Sequence, residues 1–219
     1  MHTGTGGDHD ISCYRPTPAD LAMFNPYLKE VREIVDRELA RGIADPAERL
    51  ALERTALVQK YAFSIPTAGV LRLVADFSPI VEIGAGSGYW AMCLASMGAD
   101  VAAFDRRVPG DGEPWDITGK NQWFDDVWFT VDEGDDSCAG FYPDRALLIC
   151  WPPLDDPMAF HALRAYRDAG GRTVIFIGDA GASGDRGFHE ALGSMRCLVK
   201  RRIPGWPGFQ EEIVISSFR

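Results

Sequence analysis

The chain has 219 residues, 46% apolar and 25% charged, enough for one globular domain that buries a full core without disulfides or a structural metal. It carries 32 acidic against 22 basic side chains, a net charge of −10. That balance argues against the basic face a nucleic-acid backbone needs, and against an anionic membrane surface. No stretch approaches the roughly 20 unbroken apolar residues that span a bilayer, and Met1–Asp10 lacks the apolar run of a signal peptide. Five widely spaced cysteines without a C-x-x-C pair read as reduced thiols in a cytoplasmic protein. With four histidines that also show no ligand spacing, no metal is expected.

In chain order, residues 1–17 are expected to be disordered, 18–77 to form a helical cap and 78–219 a sheet domain, packed as one unit. Asn25-Pro26 places a capping side chain before a first-turn proline, and Leu28, Val31, Ile34, Val35 and Leu39 follow at helical spacing. Asp45-Pro46-Ala47-Glu48 reads as a capping box opening a helix to about Tyr61, and Pro66 begins a third. From Pro79 the rhythm changes. Short Ile- and Val-rich runs at Pro79–Ile83, Asp100–Phe104, Val127–Val131, Ala146–Cys150 and Thr173–Ile177 predict strands, the last two apolar enough to be covered on both faces. Helical stretches ended by Gly98, Gly170 and Gly193 alternate with them. Two more strand-like runs, Met195–Ile203 and Glu212–Phe218, flank Pro204-Gly205-Trp206-Pro207-Gly208 and predict an antiparallel hairpin. The class is α/β: a doubly wound, mostly parallel sheet.

The most informative stretch is Glu82-Ile83-Gly84-Ala85-Gly86-Ser87-Gly88, where the first strand hands over to a helix. Glycines let the backbone turn sharply and a ligand approach without meeting a Cβ, and free amides at a helix start favour polar or negative groups. Seventeen residues after Gly88, the second strand ends in Asp105, whose carboxylate can accept from both hydroxyls of a ribose. Tyr89 stands where a dinucleotide fingerprint would have its third glycine. A nicotinamide or flavin nucleotide, and a glycine turn with no ligand, remain as lesser readings.

The G-x-G-x-G spacing, with Glu82 two residues ahead of it and Asp105 behind, resembles motif I of the class I S-adenosylmethionine-dependent methyltransferases. The resemblance covers about 140 residues, from Pro79 onward, and implies a seven-stranded sheet whose last strand is antiparallel, with the N-terminal helices as a lid over the acceptor. Val131-Asp132-Glu133-Gly134-Asp135 is similar to the segment whose acid meets the adenine amino group, with Asp135 and Asp136 both available. Cys150-Trp151-Pro152-Pro153-Leu154 is similar to motif IV, but Trp151 replaces its Asn or Asp and Leu154 its aromatic. The acceptor of an amine hydrogen bond is therefore missing, which counts against amino-methylation of DNA or RNA.

Methyl transfer from a sulfonium mainly requires alignment and exclusion of water, and aromatic faces near the cation are favourable by roughly 0.5–2 kcal/mol each. The resemblance thus implies S-adenosylmethionine, released as S-adenosylhomocysteine, held by Tyr61, Glu82, Gly84, Ala85, Gly86, Gly88, Trp90, Asp105, Asp135 and Cys150. Lys60 is an alternative to Tyr61 at the cofactor's carboxylate. Trp151, Asp155 and His161 are the candidates for chemistry, Asp156 reading rather as a helix cap. Tyr14, Phe24 and Tyr27 are available to line a small-molecule pocket. The expected activity is methylation of a small molecule. Cyclase or lyase chemistry releasing methylthioadenosine, and an inactive cofactor-binding subunit, are the alternatives.

Overall fold

The computed structural model describes residues 9–108, 121 and 123–218. Four helices come first. Helix α1 (Pro18–Ala22) is opened by Thr17, which exchanges bonds with Asp20 in a capping box. Helix α2 (Pro26–Ala40) begins as expected, with the Asn25 side chain accepting from the Leu28 amide at 3.0 Å, and it buries Tyr27, Leu28, Val31, Ile34 and Val35. Asp45 accepts from the Ala47 amide at 2.9 Å ahead of α3 (Ala47–Lys60), but the reciprocal bond from Glu48 does not form. Helix α4 (Ala68–Ala75) follows Pro66.

The sheet strands are β1 (Ile80–Ile83), β2 (Val101–Asp105), β3 (Asp132–Glu133), β4 (Ala146–Cys150), β5 (Thr173–Gly178), β6 (Arg196–Arg202) and β7 (Glu212–Ser217). Helices α5 (Tyr89–Ser96), α6 (Met158–Asp168) and α7 (Arg186–Ser194) alternate with them, and a 3-10 turn (Asp136–Phe141) precedes β4. The order is β3-β2-β1-β4-β5-β7-β6, parallel except for β7, which runs against both neighbours. This is the expected doubly wound architecture with its C-terminal antiparallel hairpin. Central strands β1 and β4 are buried almost throughout, whereas edge strand β6 is exposed and carries Arg196, Lys200, Arg201 and Arg202, charges that discourage edge pairing. Helices α2 to α4 share one apolar core with Ile80, Leu148, Ile175 and Ile213 of the sheet. No described helix is long and apolar enough to cross a membrane.

Two expectations fail. The run 127–131 is not a strand; β3 comes after it and pairs only through Asp132 and Glu133 with Phe104 and Asp105. The apolar residues of that run pack elsewhere. The Trp128 amide donates to Ser87 O at 2.8 Å and its indole to Lys60 O at 2.7 Å, tying the segment to the helices and the glycine bend. The N-terminus is also ordered from residue 9: the Ile11 amide donates to Gly205 O and the Gly205 amide to His9 O, both at 2.8 Å. Ile11 is fully buried, and Asp20 gathers donors from Tyr14, Thr17 and the Ala68 amide. Residues 1–8 of the expected disordered segment lie outside the described residues.

Because Ile11 fills core volume, Ile11→Ala is expected to cost about 2–5 kcal/mol in urea unfolding. A loss below about 0.5 kcal/mol, the scale of surface substitutions, would contradict that placement.

Candidate functional site

In a sheet of this order the chain leaves β1 and β4 toward opposite faces, so a crevice opens outside their carboxyl ends. A cavity of about 700 Å³ lies there. Its floor is Ile83, the last residue of β1, and Gly84 after it, Asp105 at the end of β2, Asp135 and Asp136 after β3, and Cys150, which ends β4, with Trp151 to Leu154 after it.

The bend after β1 is built by three left-handed glycines, Gly84 (φ 73°), Gly86 (φ 56°) and Gly88 (φ 72°). The amides of Gly84 and Ala85 both donate to Phe104 O, at 2.9 and 3.0 Å, and the Gly86 amide donates to Asp105 Oδ2 at 2.8 Å. Asp105 Oδ1 accepts from the Arg107 amide at 2.9 Å. The acid that ends β2 thus holds the bend while still facing the cavity. Burial raises its pKa, opposed by these two amides and the Arg106 charge. Asp135 Oδ1 accepts from the Ser137 amide and hydroxyl at 2.9 and 2.6 Å, which lowers its pKa, and its Oδ2 has no bond to a described residue. The close approach that makes Gly86 necessary comes from protein: a Cβ there would overlap the Phe124 ring.

Glu82 lies beneath the bend rather than in the cavity. It is buried, its Oε2 is without a partner, and burial with the nearby Asp105 charge pushes its pKa up to about 8.

The segment after β4 forms a wall. Trp151 adopts φ 48° and donates its amide to Ile177 O at 2.8 Å. Its ring stacks on Phe63, with centroids 5.7 Å apart at 18°, and meets Phe209 edge-on at 5.4 Å. Its indole N–H donates to Glu211 Oε2 at 3.3 Å, where the Ser64 hydroxyl also donates at 2.6 Å. Glu211 Oε1 accepts from the Trp206 amide at 3.2 Å. Burial pushes the Glu211 pKa up to about 7 against these bonds. Gly205 permits this arrangement, since a Cβ on it would stand 2.8 Å from Glu211 Cγ. Burial also raises the Cys150 pKa, so this cavity-facing thiol stays protonated and serves as wall.

Of the residues expected in the site, Gly84, Asp105, Asp135, Cys150 and Trp151 line the cavity, while Ala85, Gly86 and Gly88 shape the bend beside it. Others do not reach it. The Tyr61 hydroxyl and the Lys60 ammonium both donate to Glu30 Oε2, at 2.8 and 2.9 Å, and the Tyr61 ring is stacked between Tyr27 and Trp128. Trp90 is a core residue whose indole donates to Ser64 O at 3.1 Å. Asp155, at φ 57°, is exposed and does not line the cavity, whereas Asp156, read as a cap, both accepts from the Met158 amide at 2.8 Å and lines the cavity. His161 is exposed beside Asp136 at 3.2 Å. Phe24 is exposed, Tyr27 is core, and Tyr14 bonds Asp20. The N-terminal half instead contributes Arg54 and Phe63. Nothing local in the sequence marks Arg54 or Glu211, which meet Trp151 from positions far along the chain on either side of it.

No family model and no curated protein matches the chain. Solved structures do resemble it. Magnesium protoporphyrin IX methyltransferase from Synechocystis, with bound SAM, is 12% identical, with a TM-score of 0.43 over 69% of this chain and 77% of that one. A protein of the NADB-Rossmann superfamily from Streptococcus agalactiae is 16% identical, with a TM-score of 0.44 over 72% and 71%. Human N-acetylserotonin methyltransferase, in complex with SAM, is 13% identical, with a TM-score of 0.39 over 68% and 51%. The likeness is one of fold.

Folding leaves Glu82 protonated up to about pH 8, whereas unfolding returns it toward its ordinary 4.5. Stability is therefore greatest below the lower value and falls as pH rises through the window, by at most about 1.4 kcal/mol per pH unit for one proton. Urea midpoints measured across this range should fall less steeply for Glu82→Gln than for the parent. Equal slopes would remove Glu82 as the buried acid responsible.

Proposed function

We propose that the chain is an S-adenosylmethionine-dependent methyltransferase acting on a small molecule in this cavity. The observation that carries the reading is the pairing of Asp105 and Asp135 across one end of a cavity at the reversal point of the sheet, beside a glycine bend. The adenosyl group fits these residues. The volume lies in the ordinary range for small-ligand sites, one Asp135 oxygen is unbonded among the described residues, and both acids suit hydroxyl and amino donors. Bound there, S-adenosylmethionine would supply a methyl group activated by its sulfonium, with the neutral thioether S-adenosylhomocysteine as the leaving group.

The chain's own residues then have three tasks. Asp105 and Asp135 hold the nucleoside end, and Asp105 keeps the bend in shape through the Gly86 amide. Trp151, Phe63 and Phe209 wall the far end with aromatic faces that exclude water. Asp156 replaces Asp155 as the acid able to take a proton from an acceptor, its Oδ1 already steadied by the Met158 amide. Nucleic acid and membranes remain poor partners on charge alone.

The test is product analysis. Purified protein incubated with S-adenosylmethionine and a metabolite extract should release S-adenosylhomocysteine together with a methylated small molecule; methylthioadenosine instead would overturn the reading. Asp105→Asn should weaken S-adenosylhomocysteine binding at least about tenfold, roughly 1.4 kcal/mol, by calorimetry on folded protein. Unchanged affinity would deny Asp105 its role.

A further inference from the structure

Arg54 projects from the inner face of α3 into the far end of the cavity, away from Asp105 and Asp135. Its guanidinium carbon lies 4.5 Å from the Phe209 ring centroid, 5.7 Å from Trp151 and 5.8 Å from Phe63. Rings steady such a cation but take none of its N–H donors. Among the described residues it forms no ion pair, and its Nε is buried without a hydrogen-bond partner. Glu211 is the nearby acid, yet its oxygens are already engaged by Ser64, Trp151 and the Trp206 amide. That one buried donor, Nε, is left unmatched, while the guanidinium lines the cavity, where a ligand can meet its terminal nitrogens. The geometry of a guanidinium selects a planar, bidentate oxyanion.

We infer that Arg54 is the specificity residue for the methyl acceptor, and that the acceptor is a small carboxylic acid whose carboxylate it grips while the aromatic wall covers the apolar body. This rests on the methyltransferase reading for the word acceptor; the carboxylate site itself does not depend on it. The amino-acid end of S-adenosylmethionine carries the same chemistry, so the experiment separates the two sources.

Acetate, benzoate and phenylacetate, each paired with its uncharged amide, are titrated into the full chain and followed by tryptophan fluorescence. S-adenosylhomocysteine is titrated separately by calorimetry. At least one acid should bind tenfold or more tightly than its amide in the parent protein. That preference should vanish in Arg54→Met and shrink in Arg54→Lys, which keeps charge but loses the fork. S-adenosylhomocysteine affinity should stay within twofold in both variants. No acid preference in the parent, or a preference surviving in Arg54→Met, overturns the proposal. A tenfold loss of S-adenosylhomocysteine binding in the variants also overturns it, because the arginine would then serve the cofactor's carboxylate. A parent protein that binds no S-adenosylhomocysteine sinks the proposed function, while the acid-against-amide comparison still decides whether Arg54 holds a carboxylate.

Discussion

Parallel strands whose order reverses leave a gap that neither flanking crossover can fill, and in this chain the gap lies between β1 and β4. Every feature of the site follows from that constraint. The backbone leaving β1 must turn at once, so it uses left-handed glycines; the end of β2 lies beside the turn, so Asp105 can hold it through the Gly86 amide. The end of β4 forms the opposite bank, where the Trp151 to Pro153 segment stands against the N-terminal helices. One cavity therefore acquires two unlike ends, carboxylates over β2 and β3 and an aromatic wall with a cation over β4.

Those unlike ends matter because their buried charges are resolved in different ways. Glu82 and Glu211 sit in the interior, where burial raises both pKa values, to about 8 and about 7, so neither carries a full charge at neutral pH. Glu211 takes bonds from three separate segments, through Ser64, Trp151 and Trp206, and so ties the β6–β7 connection to the cavity wall. Arg54 has no such resolution among the described residues: it lines the cavity without an ion pair, and its buried Nε has no hydrogen-bond partner.

Much of this was legible in the amino-acid sequence wherever the signal is local. The apolar runs of β4 and β5, the Asn25 cap and the glycine bend each depend on neighbours a few residues away. What escaped depends on partners far along the chain. Residues 127–131 have the composition of a strand, but Trp128 is recruited by Lys60 and Ser87, and the ladder to β2 begins only at Asp132. Tyr61 and Trp90 sit beside the motifs in sequence, yet their side chains turn into the core shared with α2 and α3. Glu211 lies in a connection that reads as an ordinary Pro- and Gly-rich turn, though Trp206 and Ile203 beside it are buried. Ile11 needed Gly205, almost the whole chain away, to become a core residue.

The central claim is that the crevice between β1 and β4 seats an adenosyl group attached to an amino acid, not a pyridine dinucleotide. A structure of the protein determined after soaking with equal concentrations of S-adenosylhomocysteine and NAD tests it most directly. The account predicts density for S-adenosylhomocysteine in this cavity, with its ribose against Asp105. Density for NAD there, or for S-adenosylhomocysteine only outside the crevice, would contradict it.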